Sequence, residues 1–143
     1  MARAPGTTLT VSYSTITAAE ESPIDGQGGI TEFGGAKVNI HHNNISGNLC
    51  DNPACGPDFL TQLLGFGILV DSATAGSVIS YNDISDNDVG IAISLNSGCC
   101  IVDHNTLKDN RFFGLVVVDG KHTISNTKIS GGNVGVLAAA FSV

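Results

Sequence analysis

Apolar and polar residues alternate along this chain in short runs, such as Ile79-x-Tyr81, Ile91-x-Ile93 and Val116-x-Val118. No 12-residue window carries the 3.6-residue period of an amphipathic helix. Ile, Val and Thr fill the runs, while Gly, Asn, Asp and Ser separate them. This is the pattern of short strands joined by tight bends.

The runs recur with a fixed spacing. Residues 77–98 and 99–120 are two adjacent copies in which Ile79 falls over Val102, Asn82 over Asn105, Ile84 over Leu107 and Asn87 over Asn110. Gly90 then falls over Gly114. Downstream, Ile124, Ile129 and Gly135 continue the frame. Upstream, residues 38–48 match well and residues 9–17 more weakly. The frame divides a single domain, 1–143, into five copies at 7–35, 36–76, 77–98, 99–120 and 121–143. The second copy carries an insertion at 49–64.

A unit of about 22 residues has no core of its own and must stack on its neighbours. A propeller blade needs about 40 residues and four strands. The shorter unit fits one turn of a coil. The predicted fold is all-β, a single-stranded right-handed parallel β-helix of about five turns, with turns about 4.8 Å apart. Three interior columns follow. The first is Val11, Ile40, Ile79, Val102 and Ile124. The second is Ile16, Ile45, Ile84, Leu107 and Ile129. The third is Ile68, Ile91, Leu115 and Val136. Asn43, Asn82 and Asn105 form one asparagine column and Asn48, Asn87 and Asn110 another. Stacked amides can bond each other along such columns. Glu32 falls in an interior slot, so either the register slips there or Glu32 lies near an open end.

Composition narrows the partners. A net charge of −7 with only 13% charged residues argues against nucleic acid or an anionic membrane surface. No apolar run is long enough to span a bilayer, and residues 1–11 lack the apolar stretch of a signal peptide. The 20–29 segment reads as an irregular loop with a turn at Asp25-Gly26. The insertion reads as a folded flap with a short helix at 59–64. Neither end of the coil shows a polar cap, so a homo-oligomer or a longer coil is expected to cover the open edges.

The four cysteines fall in two pairs. Cys50 and Cys55 could close a small disulfide loop, which would favour an extracellular or periplasmic location. Cys99 and Cys100 are adjacent, so on a strand at most one faces inward, and a disulfide between them would be strained. No pairing of the two sets suits zinc.

Two surface groups carry candidate chemistry. Tyr13, His42, Tyr81 and His104 share a column continued by Asn126. His41, Ser80, Asp103 and Ser125 form the column before it. An exposed stripe of this kind could stack on sugar rings and bond their edges. Strand alternation from Ile79 instead turns Tyr81 inward, and a packed corner is the favoured reading. Candidate ligand-binding residues are Tyr81, His42, His104 and Asp103. The candidate metal residues are Asp86 and Asp109, which share a column and could hold Ca²⁺; no cofactor is required. Solvated turn residues are the simpler account of this pair.

The repeats Asn-Asn-Ile-Ser-Gly-Asn, Asn-Asp-Ile-Ser-Asp-Asn and Asn-Thr-Leu-Lys-Asp-Asn precede strands that open Gly-Ile or Gly-Leu. They resemble those of the right-handed parallel β-helix superfamily, which includes pectate lyases, polygalacturonases and alginate epimerases. The resemblance covers residues 38–143 well. It implies a carbohydrate-binding or polysaccharide-processing module, with a polysaccharide as partner. The catalytic motifs of those enzymes are missing, so no catalytic residue carries over. The alternative expectation is a structural module that self-associates through its uncapped ends.

Overall fold

The computed structural model describes residues 6–18, 27–51, 53–56, 58, 64–94 and 98–140. The chain winds through five coils of three strands each. The first holds β1 (Thr8–Ser12), β2 (Thr15–Thr17) and β3 (Gly28–Phe33). The second holds β4 (Lys37–His41), β5 (Asn44–Ser46) and β6 (Phe66–Asp71). The third holds β7 (Ser77–Ser80), β8 (Asp83–Ser85) and β9 (Val89–Ser94). The fourth holds β10 (Cys100–Asp103), β11 (Thr106–Lys108) and β12 (Phe113–Val118). The last holds β13 (Thr123–Ser125), β14 (Lys128–Ser130) and β15 (Val134–Ala139).

Like strands of successive coils pair in parallel and build three five-stranded sheets. These run β1-β4-β7-β10-β13, β2-β5-β8-β11-β14 and β3-β6-β9-β12-β15. The three interior columns hold in register: Val11 pairs Ile40, Ile40 pairs Ile79, Ile79 pairs Val102 and Val102 pairs Ile124. Ile40, Ile45, Ile68, Ile79, Ile84, Ile91, Leu107 and Leu115 are fully buried. Each such side chain stabilises the tube by about 1.5–3 kcal/mol relative to exposure.

Both asparagine columns are continuous amide ladders. The Nδ2 of Asn43 donates to Oδ1 of Asn82 at 3.0 Å, and that of Asn82 to Oδ1 of Asn105 at 3.0 Å. The Nδ2 of Asn48 donates to Asn87 at 2.8 Å, and that of Asn87 to Asn110 at 2.9 Å. A glycine column lies beside the second ladder. A Cβ at Gly90 would sit 2.5 Å from the Gly114 carbonyl and 2.9 Å from the Asn110 amide; at Gly67 it would meet the Gly90 carbonyl at 2.7 Å. The Gly-Ile and Gly-Leu pairs, which fall one residue inside β6, β9 and β12 and do not open them, therefore reflect how closely successive coils approach.

The register does not slip at Glu32. Ile30 pairs Ile68 and Glu32 pairs Val70, which puts a carboxyl inside the tube with no exposed surface. Its Oε1 accepts from the Ala36 amide at 2.9 Å, and Oε2 is buried without a hydrogen-bond partner among the described residues. Burial pushes its pKa above the usual carboxylate range, which favours the neutral acid.

Cys50 and Cys55 form a disulfide. Cys99 and Cys100 also pair, and both are buried, against the expectation from strand alternation. Cys99 precedes β10 and lies in the bend after Gly98, whose φ is +107°, so alternation does not apply to it. The expected helix at 59–64, the loop at 20–29 and the turn at Asp25-Gly26 lie almost wholly outside the described residues. Leu64, at the edge of the insertion, packs into a second apolar cluster with Val89, Phe113, Val116 and Val118.

The insertion is clamped to the coil by Asp88, a carboxylate with no exposed surface. Its Oδ2 accepts from the amides of Cys50 and Gly65 at 2.9 and 2.8 Å, and its Oδ1 accepts from Arg111 Nε at 2.7 Å. Arg111 also donates to the Cys50 carbonyl at 2.7 Å.

Candidate functional site

The first and second sheets meet at a corner made by one residue per coil. Tyr13, His42, Tyr81, His104 and Asn126 all occupy the left-handed region, with φ of 51°, 56°, 55°, 52° and 46°. That turn swings each side chain out of the tube. Tyr81 is 50% exposed and Tyr13 77%, so the packed-corner reading of the stripe is corrected. Strand alternation from Ile79 fails because Tyr81 has left the strand.

The four rings stack in one pile. Tyr13 lies 5.0 Å from His42, His42 5.0 Å from Tyr81 and Tyr81 4.8 Å from His104, with interplanar angles of 16°, 13° and 17°. The inner ring faces are occupied by neighbouring rings, so the pile presents ring edges to solvent. His41 meets Tyr13 edge-on at 5.7 Å.

Asp103 anchors the far end of the pile. Its Oδ1 accepts from Ser125 Oγ at 2.6 Å and Asn126 Nδ2 at 2.9 Å, and its Oδ2 accepts from His104 Nδ1 at 2.7 Å. The Ser125 bond first, then His104 and Asn126, hold its carboxyl down to about 2. A carboxylate only accepts, so His104 carries a proton on Nδ1.

Beside the pile runs an open groove of about 500 Å³, lined by Tyr13, His42, Tyr81, Ser14, Thr15, Asn44 and Asp83 among others. Thr15, Asn44 and Asp83 are register partners on β2, β5 and β8. The groove therefore has an aromatic wall and a polar wall, and each repeats once per coil.

The structure brings Tyr81, His42, His104 and Asp103 together at this corner. Asp86 and Asp109 occupy the next corner, again in left-handed turns. Both are exposed, and Lys108 lies 3.5 Å from Asp109. Two carboxylates leave most of the six to eight oxygens that Ca²⁺ takes to water.

Sequence reasoning missed two groupings. Asp88 and Arg111 are 23 residues apart and share the repeat frame, which was the available signal. Cys99, Cys100 and His122 converge at the bend between the third and first sheets; their signal was His122, 22 residues beyond Cys100.

The family described as "Right handed beta helix region" matches residues 3–142. No curated protein and no solved structure matches the chain. The parallel sheets, the stacked columns and this match over nearly the whole sequence together make the chain a member of the right-handed β-helix region family.

Proposed function

We propose that the groove beside the ring pile binds an extended polysaccharide running along the coil axis. The observation that carries this reading is the register: one exposed ring edge faces one polar side chain in each of the first three coils. A chain of like sugar units presents hydroxyls at a regular spacing. Tyr hydroxyls, imidazole nitrogens, Asn44 and Asp83 can serve them as donors and acceptors. Stacking of sugars on ring faces is confined to the ends of the pile, so hydrogen bonding dominates recognition. The two disulfides fit an oxidising extracellular or periplasmic setting.

Titration calorimetry with neutral and uronate oligosaccharides tests the reading. Tyr81→Ala and His42→Ala should each weaken binding at least tenfold, about 1.4 kcal/mol, with an unchanged circular dichroism spectrum. Failure of every oligosaccharide to bind the parent protein, or parent-like affinity in both variants, would count against it.

Self-association is a second reading, favoured by the surface of the last coil. Ile124 and Val136 are 40% and 50% exposed, although the residues of their columns in the second, third and fourth coils are fully buried. A second copy seated on β13–β15 would cover them. Light scattering should then give a mass that rises with concentration, and Val136→Asp should hold the protein as a monomer. A parent protein that stays monomeric at high micromolar concentration excludes this reading.

A further inference from the structure

We infer that the Cys99–Cys100 pair, once reduced, forms with His122 a binding site for a thiophilic divalent cation of the Zn²⁺ class. The ligand atoms of Cys99, Cys100 and His122 lie within 4.8 Å of one another. Tetrahedral zinc would hold two sulfurs and a nitrogen roughly 3.5–3.8 Å apart, so small side-chain movements suffice.

The imidazole is already set for this role. His122 Nε2 lies 2.8 Å from the Asp119 carbonyl oxygen. A carbonyl can only accept, so Nε2 bears the proton and Nδ1 of the neutral ring bears the lone pair. That Nδ1 is buried and has no hydrogen-bond partner among the described residues. A backbone carbonyl fixing the distal N–H is the usual support of a metal-ligating histidine. An unpartnered buried lone pair beside two sulfurs is otherwise an unfavourable arrangement.

Access comes from the cleft that His122 lines with Asp119, Gly120 and Ala138, about 190 Å³ and open to solvent. Reduction by a phosphine consumes one water and gives the phosphine oxide and two thiols; a dithiol reductant instead gives its own disulfide and the same two thiols. Zn²⁺ then displaces both thiol protons, leaving two thiolates, Nδ1 and a fourth position open to water. The oxidised pair has no thiolate to offer, so the site exists only in the reduced protein.

The test uses Co²⁺ as a spectroscopic stand-in and Zn²⁺ as competitor, on phosphine-reduced Cys50→Ser/Cys55→Ser protein. One equivalent of Co²⁺ should give intense visible bands of tetrahedral geometry with a thiolate charge-transfer band, and Zn²⁺ should abolish both. The bands should be absent from the oxidised protein, and His122→Ala should shift them and weaken Zn²⁺ binding at least tenfold. Should the serine background fold poorly, Cys99→Ser/Cys100→Ser in the otherwise native reduced chain must remove the bands. Weak octahedral bands only, or a spectrum and affinity unchanged by His122→Ala, overturn the inference.

Discussion

Asn82→Ala is expected to lower the unfolding free energy by about 3–5 kcal/mol, as the sum of several buried groups left unpaired. Asn82 is 2% exposed. Its Oδ1 accepts from both the backbone amide and the side-chain amide of Asn43. Its Nδ2 donates to the Ile40 carbonyl and to Asn105 Oδ1. Alanine removes all four bonds at once; Asn105 Oδ1 keeps the Asn82 backbone amide and Asn43 Nδ2 keeps the Val11 carbonyl, and each group that is left unsatisfied inside the tube costs about 1–3 kcal/mol. Relaxation recovers part of the sum. Asn44→Ala, one residue beyond the ladder on an exposed position, should change stability by less than about 0.5 kcal/mol. Urea unfolding of the two variants measures the contrast. An Asn82→Ala protein within about 1 kcal/mol of the parent would show that the ladder decorates the coil and does not hold it.

The second large effect belongs to the Asp88 clamp. Asp88→Ala should cost about 3–5 kcal/mol, because it leaves two amides and a guanidinium without their acceptor. Arg111→Ala should cost less, about 1–3 kcal/mol, because the buried Asp88 carboxylate loses its cation but keeps the Cys50 and Gly65 amides. Removing both should cost clearly less than the sum, since no unpaired charge remains. A double-mutant cycle by denaturant unfolding reads the coupling directly. Protease cleavage within 51–64 should also quicken in Asp88→Ala, because Asp88 Oδ2 holds the amides at Cys50 and Gly65, on either side of that segment. Strictly additive effects, with cleavage unchanged, would mean that the ion pair and the insertion are independent.

Much of the interior is legible in the sequence because two periods coincide there. The alternation of a strand says which side chains of a coil face inward, and the 23-residue spacing says which of them touch. Ile79 over Val102 and Ile84 over Leu107 follow from those two numbers alone. The corners are harder to read because each contains a left-handed residue. The spacing places Tyr81 over His104 correctly, yet the positive φ cancels the alternation that would have set its direction. Cys99 misleads for the same reason, sitting in a bend and not in β10. Glu32 is a different case: its register is legible, but a carboxyl at an interior position argues against that register until the Ala36 amide is seen to bond it. The clamp goes unread because Asp and Arg at turn positions ordinarily face water, and nothing in the repeat frame announces that Asp88 accepts from the Cys50 and Gly65 amides.

The amide ladders also give the molecule a direction. Within each ladder the amide-to-amide bonds all point the same way, Asn43 to Asn82 to Asn105 and Asn48 to Asn87 to Asn110, so each ladder has a polarity along the axis. A copy that extends this vector and the parallel sheets must present its β1–β3 edge to the β13–β15 edge. Such a junction is head-to-tail, and a dyad cannot generate it. Assemblies grown this way lengthen one subunit at a time into a filament, or close into a ring where the rotation allows, so their size would follow protein concentration.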